Sequence, residues 1–64
     1  MLAKDIIGSR MRGLGMTAKE LSRITGYHHN NVLAWINGKN EPNFFTVMTC
    51  LNAMGYDIKI EKII

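Results

Sequence analysis

The residues of this 64-residue chain with the widest chemical repertoire are His28, His29 and Cys50. In other spacings such a set holds a metal or carries a nucleophile. Adjacent histidines on a helix point about 100° apart and cannot readily share one ion. Structural zinc also takes four ligands, so no metal is expected. Nucleophilic catalysis by Cys50 would need a positioned base and an exposed thiol. Its place beside Leu51 in a helical apolar pattern suits a small core residue instead. No glycine-rich phosphate loop and no paired-carboxylate motif is present. Neither an enzyme nor a cofactor is expected.

The chain has room for one domain, spanning 1–64. A polypeptide this short buries only about 60% of the surface that its unfolded form exposes. Cys50 is the only cysteine, so no internal disulfide can compensate and the chain suits a reducing cytoplasm. There is no apolar run of about 18 residues to span a membrane and no basic-then-apolar leader. A cytoplasmic location without a membrane partner is expected, and a second subunit is the natural way to complete the core.

The net charge of +3 is unevenly placed. Residues 1–40 carry Lys4, Arg10, Arg12, Lys19, Arg23 and Lys39 against Asp5 and Glu20. Residues 41–64 carry Lys59 and Lys62 against Glu41, Asp57 and Glu61. A basic N-terminal part with a near-neutral tail suits a polyanion on one side, although solvation alone accounts for many such surpluses.

The elements that must position these groups are four short helical patterns and an alternating tail. Ala3, Ile7, Met11 and Leu14 share one helical face, and the Gly13–Gly15 region ends it. Thr17 with Glu20 is a capping box, and Met16 with Leu21 has the spacing of a hydrophobic staple. Leu21 and Ile24 are expected to form the buried stripe of this second helix, which Gly26 closes in the left-handed conformation. A third helix from about His28 to Asn37 buries Val32, Trp35 and Ile36, and Asn37-Gly38 gives a second left-handed cap. The spacing of Trp35 favours core packing over a base-stacking platform. Pro42 and Asn43 begin a fourth helix whose stripe is Phe44, Val47, Met48, Leu51 and Met54, ending at Gly55.

From Tyr56 to Ile64 the period changes, with Tyr56, Ile58 and Ile60 alternating with charged residues. That pattern predicts a half-buried strand. A lone strand must pair outside its own chain, and pairing with the same strand of a second subunit is the simplest solution.

Two short helices joined by a glycine turn, the second with a polar outer face, describe a helix-turn-helix over about 17–37. The stretch Met16-Thr17-Ala18-Lys19-Glu20-Leu21-Ser22, then Gly26, Val32, Trp35 and Asn37-Gly38-Lys39, resembles the Cro/repressor-type (XRE) helix-turn-helix family. Pro42-Asn43-Phe44 through Ala53-Met54-Gly55 is similar to that family's fourth helix. The resemblance covers about residues 10–55 and implies a mainly α, lambda-repressor-like four-helix domain. The expected C-terminal β-strand would pair in a dimer.

The resemblance also implies how such a domain sits on DNA. Ser22 matches the small residue where the two helices touch, Gly26 the turn and Val32 the buried centre of the recognition helix. His28, His29, Asn30 and Ala34 match groove-facing positions, with Leu33 and Asn37 at the edges. Asn30 suits a bidentate pair with adenine, and His29 a bond to guanine N7 or O6. The loop Asn37-Gly38-Lys39-Asn40 and the amides near Asn43 match phosphate-contacting positions. Arg10, Arg12, Thr17, Lys19 and Asn31 are further phosphate candidates.

Some residues depart from the family pattern. Ala18 stands where glutamine is frequent. Ile36 replaces a glutamate that in many members pairs with an arginine matching Arg10, so Arg10 is expected to be free for solvent or phosphate. His28 replaces a serine or threonine cap. Phe45 stands at a usually polar position, where a dimer contact or a core-edge aromatic are the open alternatives.

The implied function is a sequence-specific, homodimeric transcriptional repressor on a palindromic operator. Small phage or mobile-element regulators of the Cro kind that repress their own operon look most similar. The alternative is an antitoxin with a toxin partner, for which the chain shows no extra wrapping segment. No sensor domain is evident, so no small-molecule effector is expected.

Overall fold

Thr17 Oγ1 accepts the N–H of Glu20 at 3.2 Å, and Glu20 Oε1 accepts the N–H of Thr17 at 3.3 Å. The capping box read from the sequence is thus present, and it starts α2. This computed structural model describes residues 2–56. They form α1 (Ala3–Leu14), α2 (Ala18–Thr25), α3 (His29–Ile36) and α4 (Phe44–Ala53). No strand occurs among the described residues. The expected pairing strand, with Ile58 and Ile60, lies outside them apart from its first residue, Tyr56.

Each helix ends where the local chemistry requires. Gly15, Gly26, Gly38 and Gly55 all have positive φ, so the chain reverses at the end of each helix without a Cβ penalty. Asn37 itself remains right-handed at φ −92°, and Gly38 at φ +79° makes the reversal. Asn43 caps α4 as expected, its Oδ1 accepting the N–H of Thr46 at 2.8 Å. Leu2 has no side chain able to cap α1. A carboxylate 38 residues away does so: Glu41 accepts the N–H of Ala3 at 2.7 and 3.2 Å through its two oxygens.

The core joins Ala3, Ile7 and Met11 of α1 with Leu21, Val32, Trp35, Val47, Cys50, Leu51 and Met54. Helices α1 and α2 each pack on both α3 and α4. Three stripe positions differ from expectation: Ile24 is 50% exposed, Leu14 51% and Phe44 47%. Ile24 is rotated about 60° from Leu21 on an eight-residue helix, of which Leu21 is the one fully buried residue. Leu14 and Phe44 lie at helix ends, beyond the zone where the four helices meet. Ile36 is only partly buried against the core.

Candidate nucleic-acid interface

The turn between α2 and α3 is fixed by short-range bonds. Gly26 at φ +85° donates its N–H to Ser22 O at 2.8 Å. Ser22 Oγ donates to Tyr27 O, and Thr25 Oγ1 donates to Leu21 O at 2.8 Å. The small residue at 22 therefore both permits the close approach of the helices and bonds across it. Tyr27 sets its ring edge against Trp35, with centroids 5.3 Å apart and planes at 79°. Trp35 is 8% exposed and belongs to the core, not to a stacking surface.

His28 is the N-cap of α3, and its Nδ1 accepts the N–H of Asn30 at 3.1 Å. The histidine that replaces the usual hydroxyl cap performs the same bond. Its ring stacks on His29, with centroids 5.0 Å apart. With Val32 and Trp35 turned inward, α3 presents His29, Asn30, Leu33, Ala34 and Asn37 outward, His29 and Ala34 half-buried and the others exposed. Asn30, Leu33 or Ala34, and Asn37 follow a three-to-four-residue spacing, so they form one stripe along the helix. Asn31 is exposed beside it.

The cationic and polar residues around this stripe are not equally free. Lys19, Lys39 and Asn40 are exposed. Lys39 and Asn40 are anchored through their N–H groups to Ala34 O at 2.9 and 3.4 Å, which fixes the loop against the end of α3. Thr17 is committed to α2: its hydroxyl donates to Glu20 Oε1 at 3.1 Å while capping. The donors left at that end are the N–H groups of Ala18 and Lys19, which no intrahelical carbonyl takes. Asn43 uses Oδ1 as a cap, with its NH2 group outside that bond.

Arg10, expected to be open to solvent or phosphate, is exposed and makes one aromatic contact. Its guanidinium lies over the Tyr56 ring, 5.2 Å from the centroid. The arginine near Ile36 is Arg12, since a Cβ built on Gly8 would lie 3.4 Å from Arg12 Nη1 and 3.8 Å from Ile36 Cβ. Arg12 Nη2 also donates to Ser9 Oγ at 3.3 Å. Met11, Met16, Ala18, Leu33 and Ile36 line a groove beside Arg12, between α1, the start of α2 and the end of α3.

Two residues of consequence were not singled out in the sequence. Lys4 lays its stem along Gly38, and Glu41 caps α1 from the loop before α4. The only local hint was Leu2, which cannot cap; the partner is tertiary. Among the described residues no cluster of three or more metal-ligating groups occurs, and no helix is long and apolar enough to cross a membrane. Cys50 is buried, and desolvation pushes its thiol from 9.0 up to about 11.

The bonded turn, the capped second helix and its polar outer stripe coincide with the span of a known family model: helix-turn-helix (HTH_3) matches residues 9–60. The chain belongs to the XRE-type helix-turn-helix family. XRE-type domains are DNA-binding domains of transcription regulators and not an enzyme family. Comparison with curated proteins and with solved structures gives no significant match. In helix-turn-helix domains the first helix crosses the DNA backbone and the second, the position that α3 holds here, lies in the major groove.

Proposed function

We propose that this XRE-type protein is a sequence-specific, double-stranded-DNA-binding repressor that binds a palindromic operator as a homodimer, in the manner of an autoregulatory phage or mobile-element regulator. The observation that carries this reading is the outward stripe of α3, polar except for Leu33 and Ala34, on a helix whose opposite face is locked in the core. An α-helix fits the major groove, where each base pair shows a distinct donor and acceptor pattern.

In this reading Asn30 pairs with adenine N6 and N7, and His29 with a guanine edge. Leu33 and Ala34 offer apolar contact to a thymine methyl. His28 and Asn37 stand at the two ends of the stripe. Arg12, Lys19, Asn31, Lys39, Asn40 and Asn43 hold phosphates and set the register without reading sequence.

Phe45, 72% exposed on α4, and Tyr56, 40% exposed, supply apolar surface for a second subunit, which Ile58 and Ile60 would extend. A dimer would place two recognition helices in successive major grooves, about 10–10.5 bp apart. Occupying such a site excludes other proteins from it, and repression needs no further chemistry.

Selection from a random duplex library tests this directly. Enrichment of a palindrome with half-sites one helical turn apart supports the reading. Recovery of no common sequence counts against it and turns the search to a protein partner such as a toxin.

A further inference from the structure

Resting on the DNA-binding reading, we propose that Lys4 is an additional phosphate-contacting residue, held beside Lys39 by Glu41 acting as a positioning residue. Lys4 lies on α1, before the helix-turn-helix begins, yet its side chain meets the loop that follows α3. A Cβ built on Gly38 would stand 3.1 Å from Lys4 Cδ, 3.9 Å from Cε and 3.8 Å from Nζ. The aliphatic stem therefore covers Gly38, and the ammonium is delivered to the loop edge. Lys4 and Lys39 line one shallow groove with Asn40 and Glu41, and both lysines are exposed. Gly38 is required twice here, by its φ of +79° and by the closeness of the Lys4 stem.

Glu41 is what makes the placement specific. Both of its oxygens accept the Ala3 N–H, one residue before Lys4, so the carboxylate ties the start of α1 to the loop. The negative charge is spent on the positive end of the α1 dipole, where it is most favourable. The Ala3 N–H is thereby taken, and among the described residues the cations that line this edge are the ammonium groups of Lys4 and Lys39. A phosphate held between them gains charge-assisted bonds from two elements distant in sequence.

The test is the salt dependence of binding to the selected duplex. Each phosphate contact contributes about −0.9 to the slope of log K against log salt. A homodimer carries the residue twice, so Lys4→Ala should flatten the slope by about 1.8 per dimer, Lys39→Ala should do the same, and the preferred sequence should be unchanged. A Lys4→Ala slope equal to wild type overturns the assignment of Lys4. If the wild-type protein binds no duplex, the DNA-binding reading itself fails, a different result.

Glu41→Ala separates positioning from charge because the two effects have opposite signs. Removing an anion near DNA should strengthen binding if only Coulomb attraction matters. Loss of positioning should weaken it and flatten the slope by about one contact per subunit. Reduced stability alone lowers the folded fraction without moving the slope, so circular dichroism at the binding temperature is read alongside. Glu41→Gln keeps one acceptor for Ala3 N–H and should restore most of the affinity and the slope. Binding by Glu41→Ala that is as tight and as salt-dependent as wild type overturns the positioning role.

Discussion

His28 Nδ1 and the N–H of Asn30 are joined at 3.1 Å, so the residue that opens the recognition helix also holds the backbone of the residue proposed to read adenine. Loss of a cap typically costs about 1 kcal/mol. His28→Ala is expected to lower stability by about that amount, read by thermal unfolding, and to weaken operator binding through a frayed helix start. His28→Ser, which restores a capping oxygen, should recover the stability. Equal melting temperatures for wild type and His28→Ala would show that the cap contributes nothing.

Asn30→Ala is expected to cost about 1–3 kcal/mol on the cognate duplex and to relax the preference at one base position. Competition binding against duplexes substituted at each position measures both effects. Uniform weakening on every sequence would make Asn30 a phosphate contact instead of a base reader.

Burial makes Cys50 a marker of core opening. Its thiol is raised from 9.0 to about 11 in the folded chain. The neutral form is thus favoured by folding, and the folded state holds the extra proton between those values. This contribution to stability is complete below pH 9 and is lost as pH rises toward 11, by an amount on the order of 2 kcal/mol. Urea unfolding at pH 8 and pH 10.5 should show the decrease. Alkylation of native protein at pH 8 should be slow and become fast in denaturant; rapid native labelling would mean that the thiol is accessible.

Deleting residues 58–64 is expected to yield a monomer with poor operator affinity, since it removes Ile58 and Ile60 from the proposed subunit contact. Sedimentation equilibrium distinguishes the states. A truncated chain that remains a dimer would move the contact to Phe45 and α4.

The parts of this molecule that were legible in its sequence are those encoded within one or two helical turns. Thr17 and Glu20 are three residues apart, and their capping box needs no other part of the chain. Gly26 and Gly38 mark reversals because only glycine adopts positive φ at little cost. Val32 and Trp35 fall on one helical face and are buried together. Tertiary placement was not legible. Ile24 has the apolar character and nearly the spacing of a core residue, but an eight-residue helix converges on Leu21 and leaves it half exposed.

Ile36 in place of a glutamate pointed to an Arg10 without an ion pair, but gave no sign that its guanidinium lies over the Tyr56 ring. Glu41 carried only a charge until the fold placed it on Ala3. For the candidate interface, the order of residues along α3 was legible from periodicity. Which of the surrounding groups are already committed, such as Thr17 to Glu20, required the coordinates.

The most direct measurement is equilibrium binding of the selected duplex and of a scrambled duplex of the same composition, each over a series of salt concentrations. The expected result is a preference of at least about 10³ for the selected site, two chains bound per palindrome, and affinity that falls steeply with salt. Equal affinity for both duplexes at every salt concentration would contradict sequence-specific recognition by α3.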